Sequence, residues 1–200
     1  MTREKNTVAM AFIAVGIGLR LLLTDYPNIE PIMALSILAG YYLGGVYMVL
    51  VPLSVMGFSD FLIYGALYGG EYRLQTILGL SAFTWSGFVF ASLIGRAARG
   101  RVLTVIGSVA LVTAVSIPAT IAYDLWTTLG GWYFIYGPLL GWTLWDSLVN
   151  LVPFALLHLI SSLLFVPLFG TLFGLLQASG WLKTAYAPTR KSVEEPGPHP

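Results

Sequence analysis

Residues 32–56 read IMALSILAGYYLGGVYMVLVPLSVM, an apolar run broken by Gly44–Gly45 and followed past the break by Pro52. Threaded as one helix, the run is a single crossing of a bilayer; threaded as two, it returns the chain to the side it left. Glycine lacks the Cβ that resists a tight reversal. The run is therefore read as two shorter helices, about 31–43 and 46–62, joined at the glycine pair.

Upstream lies Asp25-Tyr26-Pro27-Asn28-Ile29-Glu30-Pro31, a turn with two prolines and two acids. Before it, residues 8–23 form a first span with Arg20 near its far end. Arg3 and Lys5 precede that span as they would in a secretory leader. No small-residue cleavage site follows, and Arg20 interrupts the apolar region, so a retained span is expected. Downstream, a loop with Gly69-Gly70-Glu71-Tyr72-Arg73 leads to a fourth span, about 74–95. The basic connection Gly95–Arg101 precedes a fifth span, about 102–123. Segment 124–148 holds Trp126, Trp132, Trp142 and Trp145 and is read as a short interfacial or re-entrant element. A sixth span, 149–178, contains Pro153 and Pro167. The expectation is an all-α polytopic membrane protein, with a six-helix transmembrane domain over 1–182 and a disordered tail over 183–200.

Composition supports lipid as the solvent. The chain is 57% hydrophobic and 10% charged, against about 25% charged in a typical globular chain, and the excess runs along almost its whole length. No soluble fold of 200 residues hides that much apolar surface. Cysteine is absent, which removes disulfides, thiolate metal sites and a cysteine nucleophile.

Charge then orients the bundle. In a six-span threading Arg3, Lys5, Arg96, Arg99, Arg101, Lys183, Arg190 and Lys191 share one side, while Arg20 and Arg73 lie on or toward the other. Asp25, Glu30, Asp60, Glu71, Asp124 and Asp146 also lie toward that other side. Basic residues mark the cytoplasmic face, so a multi-pass cell-membrane protein with both termini cytoplasmic is expected. A five-span threading would place one of the basic clusters outside.

An ionisable group at membrane depth is costly unless paired or hydrated. Asp25 and Glu71, in loops, are expected to be solvated. Arg20, a turn inside its span, is expected to pair with Asp60 or Asp124, either tying helices together or presenting a cation to a ligand. The tryptophans fit an interfacial belt or the walls of a cavity. His158 has the usual reading of an imidazole satisfied by a backbone carbonyl, and no histidine or cysteine stands at metal-ligand spacing. Small residues four apart, Ala14/Gly18, Ser36/Gly40, Gly40/Gly44, Ala91/Gly95 and Gly170/Gly174, allow close helix approach. No phosphate-binding loop, H-E-x-x-H or G-x-S-x-G occurs, so neither an enzyme nor a bound cofactor is expected. The few basic residues do not suit nucleic acid.

The frame Arg20-Leu21-Leu22, Pro27-Asn28-Ile29-Glu30-Pro31, Ala34-Leu35, Ala39-Gly40-Tyr41-Tyr42, Val51-Pro52-Leu53 and Ser59-Asp60 resembles a family of small bacterial and archaeal membrane proteins of unknown function. That family is similar to the substrate-binding (S) components of energy-coupling factor transporters. Tyr123-Asp124-Leu125-Trp126 and Tyr136, Gly141 and Pro153-Phe154 match its later motifs less closely, and Ser161-Ser162 replaces a Gly-Asp. The resemblance implies a six-helix bundle whose outer helix ends close over a small molecule, with small-residue faces docking on a transmembrane coupling protein that carries ATPases. Arg20, Asn28, Asp60 and Asp124 would then bind the ligand, with Trp126 and Trp132 as stacking walls or a lid. Two alternatives stand beside this reading. One is an accessory structural subunit of a larger membrane complex; the other is an intramembrane enzyme using Asp60 with Asp124 or Asp146.

Overall fold

The structure, a computed structural model, describes residues 2–26, 28–63, 74–101 and 104–179. Among these residues the regular elements are helices: α1 (Thr2–Leu22), α2 (Ile32–Leu43), α3 (Tyr47–Leu62), α4 (Leu74–Ala98), α5 (Val105–Leu140) and α6 (Leu144–Ala178). Four of them, α1, α4, α5 and α6, are long and apolar enough to cross a membrane. α2 and α3 are shorter. At a rise of 1.5 Å per residue they cover about 18 and 24 Å, less than the about 30 Å hydrocarbon core.

The glycine pair divides the 32–56 run as its sequence suggests. Gly44 and Gly45 both take positive φ, 62° and 59°, and the two helices start and stop within a residue of the expected limits. The last turn of α2 widens to a π turn that ends with the Gly44 N–H donating to Ala39 O at 2.9 Å. A helix as short as α2 persists because protein surrounds it. Every residue from Ile32 to Gly44 is buried, with α1, α3, α4, α5 and α6 all packed around it. Lipid is as apolar as leucine, so this burial is stabilised by close packing more than by escape from water.

The closest packing is between α2 and α4. A Cβ on Gly40 would lie 1.9 Å from the Ser92 carbonyl oxygen, and one on Gly95 would lie 2.1 Å from that of Ile37. Ser92 Oγ donates to the Ser36 carbonyl at 2.7 Å across the same contact. The C-terminal end of α2 collects cations: Lys5 Nζ donates to Leu43 O at 3.1 Å, and the Arg96 and Arg99 guanidinium groups lie against Gly44. This complements the negative pole of the helix dipole. Glu30 stands at the opposite end, just before α2 begins.

The tryptophan-rich segment departs from the sequence reading. It is neither a separate interfacial helix nor a re-entrant loop: α5 runs on past Tyr123 to Leu140, and α6 begins at Leu144, not at 149. Gly130–Gly131 and Gly137–Pro138 look like breakers but do not break the helix. A π turn over Trp132–Tyr136 shifts the hydrogen-bond register immediately before Pro138, whose ring nitrogen has no hydrogen to donate. The reversal itself occupies residues 141–143, with Gly141 at φ 69°.

Thr143 and Asp146 then form a reciprocal cap. The Asp146 N–H donates to Thr143 Oγ1 at 3.2 Å, and the Thr143 N–H donates to Asp146 Oδ2 at 2.8 Å. Asp146 is thus the helix-starting carboxylate of a capping box, exposed at the α5–α6 turn. Thr143→Ala is expected to lower stability by about 1 kcal/mol, read as a small drop in the thermal midpoint of the detergent-solubilised protein. The expectations for Pro27, for the 69–73 loop and for the tail from Lys183 fall outside the described residues.

Candidate functional site

At the end of the bundle away from Lys5, Arg96 and Arg99, residues of α1, α3, α4 and α5 surround a recess. Its floor is Arg20 from the last turn of α1 and Asp60 from the last turn of α3, and Arg20 Nη1 donates to Asp60 Oδ1 at 2.6 Å. The pairing that sequence left open between Asp60 and Asp124 is therefore with Asp60. Arg20 also donates to Ser59 Oγ, which in turn donates to the Val55 carbonyl. The second Asp60 oxygen accepts from Trp85 Nε1 at 2.7 Å. Both side chains of the ion pair are only 10% exposed.

Arg20 is incompletely satisfied. Its Nε is buried with no hydrogen-bond partner, and its ion-pair contact, Glu30 Oε1, stands 3.8 Å away. A buried guanidinium with an open donor is expensive without an acceptor. Above it lies a cavity of about 230 Å³ lined by Arg20, Met56, Asp60, Ile77, Leu80, Ser81, Thr84 and Ile135. Two hydroxyls and an ion pair thus face four apolar side chains, the mixture found in small-molecule sites. The volume lies just below the about 300–1,000 Å³ of drug-sized pockets, so the occupant would be small.

The other expected ligand-binding residues are placed elsewhere. Asn28 adopts φ 62° in the turn before α2, a left-handed conformation that asparagine tolerates better than most residues. That accounts for its residue type without a ligand, and it is not a wall of the cavity. Trp126 packs on α4, its ring 4.6 Å from Phe83 and its Nε1 donating to Ser86 Oγ at 3.0 Å. Trp132 Nε1 donates to the Trp142 carbonyl at 3.0 Å, fastening the α5–α6 turn. Neither ring lines the cavity. Both are held by α4 or the α5–α6 turn because α5 continues as a helix past Tyr123, where a lid would have needed the chain to turn back.

Asp124 lies inside α5, not at a helix end. It meets His158 of α6, Nδ1 to Oδ1 at 2.7 Å, with both side chains nearly inaccessible. The imidazole Nδ1 thus meets a carboxylate where a backbone carbonyl was expected. Trp85, Glu30, Ser81 and Thr84 were not singled out from sequence as binding residues. The signal for Trp85 was available: it sits in the middle of the expected fourth span, about 74–95. Among the described residues no group of three or more acidic, histidine or cysteine side chains could hold a metal ion.

Comparison with known proteins gives a family and no activity. A family model described as "Family of unknown function (DUF6580)" matches residues 1–185, so the chain belongs to that family. No curated protein matches the chain, and no solved structure matches it.

Proposed function

We propose that this member of the family is a membrane substrate-capture subunit that binds a small molecule in the recess above Arg20 and Asp60, in the manner of an energy-coupling factor S component. The observation carrying this reading is the buried Arg20 Nε without a hydrogen-bond partner beneath a cavity that mixes hydroxyl and apolar walls. α2 and α3 complete six crossings with the four long helices, the bilayer thinning or the protein shielding their ends. Both termini are cytoplasmic, since Lys5, Arg96 and Arg99 gather at one end of α2 and the Arg20–Asp60 pair lies at the other. The recess then opens outward.

Transport would draw energy from a separate coupling protein with ATPases, because the chain carries no phosphate-binding loop. The sequence's small-residue pairs narrow where such a partner could sit. Gly40, Gly95, Gly170 and Gly174 are consumed by internal packing, whereas Ala14 and Gly18 lie exposed on α1, with nothing within 4 Å of a Cβ on Gly18. That open face equally supports the second reading, an accessory subunit of a larger assembly. Native mass measurement after gentle extraction separates the two from a free-standing protein: a bare monomer counts against a stable subunit.

A thermal-shift screen of the purified protein against vitamins and small metabolites tests capture. A true ligand at 100 times its Kd adds about 2.7 kcal/mol, worth at least about 5 °C at this chain length. Ser81→Leu fills the cavity from α4 without touching the ion pair, and is expected to abolish the shift while leaving the unliganded midpoint close to native. Ligand shifts of equal size in native protein and in Ser81→Leu would refute the site.

A further inference from the structure

The Asp124–His158 pair has no part in the capture site above, yet it is a deeply buried titratable pair. His158 is 2% exposed and Asp124 5%. One oxygen and one nitrogen meet at 2.7 Å, while Asp124 Oδ2 and His158 Nε2 are both buried without a hydrogen-bond partner. With the imidazole neutral and Nδ1–H donating, both open atoms are acceptors and the carboxylate charge is uncompensated. A proton from bulk water added at Nε2 converts the pair into a neutral imidazolium–carboxylate, which low-dielectric surroundings tolerate far better than a lone carboxylate.

Further polar contacts flank the pair. One turn along, Thr120 and Ser162 hydrogen-bond across α5 and α6 at 2.8 Å, and Ser161 Oγ donates to the Glu30 carbonyl at 3.1 Å. From α5, the Tyr123 ring lies edge-on to the imidazole at 5.1 Å, and the Glu30 side chain stands 3.8 Å from Arg20 Nε, beside the Arg20–Asp60 pair. Tyr123 from α5 faces the imidazole, and Glu30, whose carbonyl accepts from Ser161 of α6, leads on to Arg20 of α1 and Asp60 of α3. One guanidinium stands among three carboxylates. Protonation at His158 lowers the excess negative charge of this layer from two to one.

We propose that Asp124 and His158 form a proton-binding site within the membrane, and that its occupancy sets the electrostatic field at the Arg20–Asp60 floor of the cavity. The site stands on its own geometry, whether or not a ligand is captured. It can be tested on the full chain in lipid nanodiscs with 13Cε1-labelled histidine and 5-fluorotryptophan. The chain has two histidines, so His199→Ala assigns the His158 resonance, and Trp85→Phe assigns that of Trp85.

Between pH 5 and 9 the His158 signal should complete one titration step, and Asp124→Asn should displace its midpoint by at least one pH unit, a tenfold change in proton affinity. The Trp85 signal, reporting on Asp60, should follow the same midpoint and lose its pH response in His158→Gln. A His158 signal constant from pH 5 to 9 would overturn the proposal. So would a midpoint unmoved by Asp124→Asn, or a Trp85 response that persists in His158→Gln. Should Asp124→Asn fail to fold, the His158→Gln arm still decides.

Discussion

Gly40→Ala and Gly95→Ala each collapse the yield of folded protein, costing about 3 kcal/mol or more, at or beyond the upper end of ordinary overpacking. The reason is that each new Cβ meets a backbone carbonyl, Ser92 O at 1.9 Å or Ile37 O at 2.1 Å, and a carbonyl fixed in a helix cannot rotate aside as a side-chain tip can. Relief would require α2 and α4 to separate, which also breaks the Ser92–Ser36 hydrogen bond. In lipid no gain from hiding apolar surface compensates the lost contact. Gly18→Ala is the control. It adds the same methyl to α1 with nothing within 4 Å, and its effect should stay within about 0.5 kcal/mol. Thermal unfolding followed by size-exclusion recovery measures all three.

The second large effect lies in the ion pair. Arg20→Met strands Asp60 with the Trp85 indole as its donor, and Asp60→Leu strands Arg20 with Ser59 and a Glu30 oxygen 3.8 Å away. Removing one member of a buried pair costs about 3–5 kcal/mol, because an uncompensated charge is left behind. With both side chains about nine-tenths buried, little of this is screened by solvent. Arg20→Met together with Asp60→Leu should therefore cost less than the two singles added, with a coupling of about 1–3 kcal/mol. Strict additivity in that double-mutant cycle would mean the two side chains do not interact. Both single variants should also lose any ligand, but Ser81→Leu remains the cleaner probe of the cavity because it leaves the floor intact.

Several of these features were legible in the residues. Gly44–Gly45 marked the α2–α3 reversal because two adjacent glycines weaken a helix inside an apolar run and at the same time permit the positive φ that a tight turn requires. Arg20 was marked as needing a carboxylate partner because charge at membrane depth demands one, although sequence left Asp60 and Asp124 equally eligible. The reach of α5 was not legible. Gly130, Gly131, Gly137 and Pro138 all carry breaker signals, and only the π turn at 132–136 reconciles them with a continuous helix. Such a turn depends on how Tyr136, Trp142 and Phe134 pack, with Tyr136 stacked on Trp142 at 5.3 Å.

That one continuity moved three assignments. It placed Asp124 mid-helix beside His158, and it set Trp126 and Trp132 outside the cavity walls. The start of α6, by contrast, could have been read. Thr143 with Asp146 three residues later, ahead of a long apolar run, is the capping pattern itself, with aspartate in the place more often held by glutamate.

The decisive measurement uses the absence of native cysteine. Single cysteines at Ser81, in the cavity wall, and at Arg101, beside the basic end, are labelled in intact cells with a membrane-impermeant maleimide. A recess that opens outward predicts labelling of Ser81→Cys before lysis and of Arg101→Cys only after it. Labelling of Arg101→Cys in intact cells while Ser81→Cys stays silent until lysis would contradict the proposed capture of a ligand from outside.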